Sequence, residues 1–170
     1  MFPDEIHVSR SLRRTLNQHR FHVTADRAFN RIIRLCGTTR AEGTWITDDM
    51  VTAYTELHRQ GIAHSIEIWN RKGELAGGMY GVAIGRCFFG ESMFSLETNA
   101  SKVLMVYLAN QLRLWGYQLM DCQVESPHLL TMGARSIPRR EFLSILRSCV
   151  DQEPEMPGWQ FSWEWSGPEV

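Results

Sequence analysis

The hydrophobic period changes at Gly61, and that switch limits the folds open to this chain. Before it, apolar residues recur three and four apart, as on one side of a helix; after it they alternate, as on a half-buried strand. Ser9 can cap a first helix running to about Gln18, with Arg10, Arg13, Arg14 and Asn17 on one face and Leu12 and Leu16 on the other. Thr24 is placed to cap a second helix, which carries Phe29, Ile32, Ile33 and Cys36 at helical spacing and stops at Gly37. Thr47 caps a third, with Asp48 and Asp49 at its positive end and Gly61 as its stop. Then His64–Trp69 alternates, Arg71-Lys72-Gly73 turns, Glu74–Ile84 returns, and Arg86–Phe94 follows as a third strand. A long helix is predicted from about Asn99 to Trp115, a fourth strand over Tyr117–Val124, and short helices near Pro127–Met132 and Pro138–Cys149. Helices, an antiparallel meander, a helix and another strand make an α+β chain with a mostly antiparallel central sheet flanked by helices.

Composition narrows the class. At 170 residues, 44% hydrophobic and 22% charged, the chain has the makeup of one soluble domain and excludes disorder. No apolar run approaches the roughly 20 residues that span a bilayer. The opening MFPDEIHVSR has neither the apolar core nor the cleavage site of a signal peptide. A cytoplasmic protein is expected. The cysteines, Cys36, Cys87, Cys122 and Cys149, lie far apart with no CxxC pairing, so buried thiols are expected, not a disulfide frame or a zinc site. The histidines lack ligand spacing, and no metal is expected.

The net charge of −1 hides an asymmetry. Residues 1–40 hold eight arginines against Asp4, Glu5 and Asp26, a local net of +5. An arginine-rich end on a near-neutral protein fits a polyanionic partner, although a solvated helix face explains it as simply. The tail 151–170 is the opposite: five acids, no Lys or Arg, and Trp159, Phe161, Trp163 and Trp165.

A few residues stand out chemically. If Tyr117–Val124 is one strand, Asp121 and Gln123 share a face, and two polar groups on an apolar strand are costly unless bonded. They are either a satisfied structural pair or a carboxylate orienting an amide in a site. Gly77, Gly78 and Gly81 weaken their strand and imply close approach of a ligand or another backbone. Met79, Met93 and Phe88 nearby suit either plain core or a pocket for a variable apolar side chain. Glu91 interrupts the apolar run Cys87–Phe94 and calls for a cation. Gly90-Glu91-Ser92-Met93-Phe94 resembles a nucleophile elbow only weakly, and Ser92 is discounted. Neither GxxxxGK[ST] nor GxGxxG occurs, so no phosphate-cradling loop is read.

Taken together, the stretches HVSRSLRR (7–14), EGTWIT (42–47), AYTELHRQGIAHSIEIW (53–69), LAGGMYGVAIG (75–85), FFGESMFS (88–95), NASKV (99–103), DCQV (121–124) and PHLLTMGARSIPRREF (127–142) resemble the bacterial leucyl/phenylalanyl-tRNA–protein transferase family. The resemblance implies a GNAT-like N-acyltransferase domain over 1–170. It divides into a basic helical segment 1–60, a catalytic sheet core 61–150 and the acidic aromatic tail. It also implies that the small N-terminal domain usual in the family lies outside this sequence, which starts after it. The implied reaction moves Leu or Phe, and Met less readily, from aminoacyl-tRNA to the N-terminal α-amine of proteins beginning with Arg or Lys, creating a degradation signal. By the same resemblance Asp121 and Gln123 are catalytic and Glu91 binds the acceptor. Met79, Phe88, Gly90 and Met93 form the aminoacyl side-chain pocket. Trp45 and Tyr54 stack the terminal adenosine, and Arg10, Arg13, Arg14 and Arg20 meet the tRNA backbone. No cofactor, metal or membrane partner is implied, and a monomer is expected. The coenzyme A pyrophosphate loop of GNAT acetyltransferases, Q/RxxGxG/A, is not found before the long helix. A coenzyme A-dependent GNAT acyltransferase and a truncated, non-catalytic tRNA- or protein-binding homologue are the alternatives.

Overall fold

The computed structural model describes residues 1–39, 44–155 and 158–167. Arg40 and the first two residues of the EGTWIT stretch therefore lie outside the described residues. A 3₁₀ turn, Pro3–Glu5, precedes α1 (Arg10–Asn17), β1 (Phe21–Ala25), α2 (Phe29–Thr38) and α3 (Asp48–Arg59). Then come β2 (Ala63–Asn70), β3 (Leu75–Ile84), β4 (Cys87–Ser95), α4 (Ala100–Leu114), β5 (Leu119–Asp121), α5 (Pro127–Leu130) and α6 (Arg139–Cys149). The strands lie side by side in chain order. β1 to β4 pair antiparallel, while β5, reached through the α4 crossover, runs parallel to β4.

Two caps sit where the sequence puts them. The Ser9 side chain accepts the Leu12 N–H at 3.3 Å and the Thr47 side chain accepts the Met50 N–H at 3.4 Å. Thr24 does not cap α2. It lies in β1, a strand the sequence pattern does not reveal, and its hydroxyl donates to Glu67 at 2.5 Å. Gly37 does not end α2, which runs one residue further.

The sheet separates two apolar layers. On one face, Ile66, Ile68, Met79 and Phe88 pack against Val103, Leu104, Leu108 and Leu112 of α4 and against Leu12 and Leu16 of α1. On the other, Tyr80, Phe94 and Leu75 meet Phe29, Ile32, Ile33 and Val51 of α2 and α3. The tail aromatics Trp159, Phe161, Trp163 and Trp165 close the α4 layer. Gln111 is fully buried in α4 and pins this tail by accepting the N–H groups of Ser162 and Trp163, both at 2.7 Å.

The strand glycines serve packing. A Cβ on Gly78 would come within 2.5 Å of Ile32 Cδ1, and one on Gly81 would run into the Phe89 carbonyl oxygen. What approaches closely is therefore a helix on one side and a neighbouring strand on the other.

The cysteine expectation needs correction at one pair. Cys87, opening β4, and Cys149, closing α6, are joined in a disulfide with Cα atoms 6.4 Å apart, while Cys36 and Cys122 remain thiols. Their separation of 62 residues carries no sequence signal, and only the docking of α6 beside β4 brings them together.

Candidate active site

The site forms where β4 and β5 part. Their pairing ends at Phe89 opposite Asp121, while β4 continues to Ser95 paired with β3 only. Just beyond that point β4 bulges: Gly90 pairs with Gly81 and Ser92 with Tyr80, leaving Glu91 as the extra, unpaired residue. A bulge of this kind takes a side chain out of the strict alternation and bends its strand.

A cavity of about 310 Å³ occupies the opening. Met79, Gly90 and Met93 line it with Met105 and Met120, and Trp45 and Glu91 belong to the same wall. Four thioether side chains make a surface that repacks around different apolar shapes. Phe88 is set apart from this group; it is fully buried and lies 5.5 Å from the Trp159 ring. Trp45 is 42% exposed, so its indole is available at the cavity.

Tyr54 sits edge-on to Tyr80 at 5.1 Å, with its hydroxyl facing the Glu91 carboxylate. Burial first, and then the Glu91 carboxylate, push its pKa to about 12, so the hydroxyl stays protonated and donates. Glu91 thus faces a neutral donor and not a cation of this site.

β5 is shorter than the alternation predicts: it stops at Asp121, and the strand face shared with Gln123 does not exist. The backbone of Gln123 turns into the left-handed region, with φ of 60°. The two residues meet another way: the Asp121 carboxylate accepts the Gln123 backbone N–H at 2.8 Å. Gln123 is exposed, and with Cys122, Val124 and Leu129 it borders both the Met-lined cavity and a second one of about 330 Å³. That second cavity has an apolar floor of Phe2, Leu119, Leu130 and Phe142 with Asp121, Glu125, Arg135 and Arg139 around it. The sequence gives no sign of this cavity, because it closes only where the chain start, Met1 and Phe2, meets β5, α5 and α6 more than a hundred residues on. Cys122 lies between the two cavities, but burial pushes its thiol up, and Sγ faces the Met120 carbonyl oxygen at 3.9 Å. It is a neutral thiol, not a nucleophile.

Arg10, Arg13 and Arg14 are exposed along the outer face of α1, whose Leu12 and Leu16 are buried. Arg20 is exposed too and lies 5.5 Å above the Phe21 ring. Among the described residues no group of three His, Cys, Asp or Glu side chains is placed to hold a metal ion, and no helix is long and apolar enough to cross a membrane.

The antiparallel sheet, the bulged and splayed β4, and the parallel β5 beyond a long helix make a GNAT-like α+β fold. An acetyltransferase of Trypanosoma brucei shares it, with a TM-score of 0.52 and 12% identity over 70% of this chain and 95% of that one. The leucyl/phenylalanyl-tRNA protein transferase family matches residues 1–147, and the chain belongs to that family. Similar proteins with that name include one from Nitrosomonas eutropha, 49% identical over 97% of this chain and 71% of its own length. Another, from Hahella chejuensis, is 54% identical over 84% of this chain and 62% of its own length.

Proposed function

We propose that this protein transfers Leu or Phe, and Met less readily, from aminoacyl-tRNA to the N-terminal α-amine of proteins that begin with Arg or Lys. The reading places it in the cytoplasm, where charged tRNA is available. The observation that carries it is the meeting of two cavities on Gln123, one of them walled by four methionines. A two-substrate transfer needs two approaches to one reacting atom, and an apolar, repackable wall suits a donor side chain chosen by shape.

In this reaction the neutral acceptor amine attacks the ester carbonyl carbon. A C–N bond forms, the C–O bond to the ribose breaks, and the amine proton ends on the released ribose hydroxyl. Gln123 is a weak base but a good hydrogen-bond partner, so its task is to hold the amine or the ester in line. Glu91, which faces Tyr54, attracts the positive group of the acceptor. Trp45 offers a face for the terminal adenine, a contact of about 1–3 kcal/mol that needs no base-specific hydrogen bond. A coenzyme A donor fits less well. The link between β4 and α4 holds Glu97, its carboxylate accepting from the Asn70 side chain at 2.7 Å, and a negative charge in the link that leads into a helix N-terminus disfavours a pyrophosphate there.

The test is transfer of labelled Phe from Phe-tRNA to a peptide with N-terminal Arg. Label in the peptide is expected. Acetyl transfer from acetyl-coenzyme A without any from Phe-tRNA would favour the GNAT alternative, and tRNA binding without transfer the non-catalytic one. A further expectation concerns the exposed face of α1. Arg13→Ala and Arg14→Ala should weaken binding to all tRNAs alike and flatten the plot of log affinity against log salt by roughly 0.7–0.9 for each phosphate left unneutralised. An unchanged slope would leave these arginines as a solvated face.

A further inference from the structure

Within the proposed reaction, the geometry points to Asp121 as a positioning residue that acts on the backbone of Gln123, not as a charge that activates its amide. Asp121 is the last residue of β5 held in the ladder, opposite Phe89. Its carboxylate reaches forward two residues and accepts the Gln123 N–H at 2.8 Å. Immediately after, the Val124 N–H bonds back to the Cys122 carbonyl at 2.6 Å. These two bonds enclose Gln123, whose φ of 60° lies in a region that non-glycine residues seldom enter. A three-residue turn of this hand, closed by a bond from the third residue to the first, is uncommon and strained. Such a conformation persists only where its surroundings over-determine it. Here Asp121 supplies the restraint from one side and the turn bond from the other.

The consequence is directional. With the strand ended and the backbone reversed, the amide of Gln123 is presented at the ridge between the two cavities. An alternating strand would have buried one of its neighbours there instead. What the turn requires of residue 121 is a short side chain with an oxygen acceptor. An asparagine carbonyl meets that requirement without a charge, since Asn and Asp make the same local bond to a backbone N–H two residues on.

The experiment compares Asp121→Asn and Asp121→Ala with the parent protein in transfer of Phe from Phe-tRNA, over a range of pH. Amide hydrogen exchange at Gln123 is followed in parallel. Asp121→Asn is expected to keep kcat within about fivefold, with an unchanged pH profile and a protected Gln123 amide. Asp121→Ala is expected to lose kcat by about 10- to 100-fold, with donor and acceptor KM little changed and a Gln123 amide that exchanges at least tenfold faster. If Asp121→Asn is as slow as Asp121→Ala, or shifts the pH profile while its Gln123 amide stays protected, the charge is what matters and the inference is overturned. Equal protection of the amide in all three proteins would overturn it as well. Because exchange is read without substrate, a parent protein that transfers nothing defeats the functional reading alone, and the backbone restraint is still decided.

Discussion

Replacing Gln123 by alanine is expected to lower single-turnover transfer by about 10²–10³-fold, the range seen when one preorganised donor is removed from a reacting centre. The fold should survive, because Gln123 is exposed and packs into no core cluster. Backbone strain does not confuse the comparison: alanine pays much the same cost as glutamine at a φ of 60°. Gln123→Gly removes that strain along with the amide and should be as slow as the alanine variant. Gln123→Asn keeps an amide and enters the left-handed region readily, but is one methylene shorter, so an intermediate loss is expected. An alanine variant that folds and keeps its rate within about threefold of the parent would remove Gln123 from the chemistry.

Glu67→Ala is expected to destabilise the protein by about 3 kcal/mol or more, read as a shift in the denaturation midpoint. Glu67 is fully buried in β2 and collects donors from two other places in the chain. Its carboxylate accepts the Thr24 hydroxyl at 2.5 Å, the Ser65 hydroxyl at 2.6 Å and the Ala28 N–H, just before α2, at 3.1 Å. The Thr24 oxygen in turn accepts the Trp69 indole N–H at 2.9 Å. Alanine strands these donors in the interior and removes a negative group from the start of α2, where the helix dipole favours one. Glu67→Gln keeps an acceptor for Ala28, and the two hydroxyls can rotate to accept from its amide, so a smaller loss of about 1–2 kcal/mol is expected. A loss below about 0.5 kcal/mol in the alanine variant would mean that water replaces the carboxylate, contrary to its burial.

The parts of this protein that depend on neighbours in the chain were legible in its sequence. Ser9 and Thr47 cap their helices because a cap is a bond across three residues. The β2–β3 hairpin follows from alternation and the turn through Gly73, whose φ of 75° suits glycine. The long helix α4 follows from its apolar spacing. Asp121 and Gln123 stand out as a pair in the sequence as well, although for a reason the structure replaces. The tertiary structure decided everything that rests on distant partners. Thr24 is a good cap by residue type, yet Glu67, 43 residues on, claims its hydroxyl for a strand. Tyr117–Val124 reads as one strand, but a strand lasts only while a neighbour pairs with it, and β4 bends away at the Glu91 bulge. The strand glycines are small because Ile32 and the Phe89 carbonyl press on them, and Cys87 finds Cys149 only once α6 docks. Local patterns set which segments can form, whereas ladder pairing, packing and buried hydrogen bonds over long separations set where each segment stops and which side chain it presents.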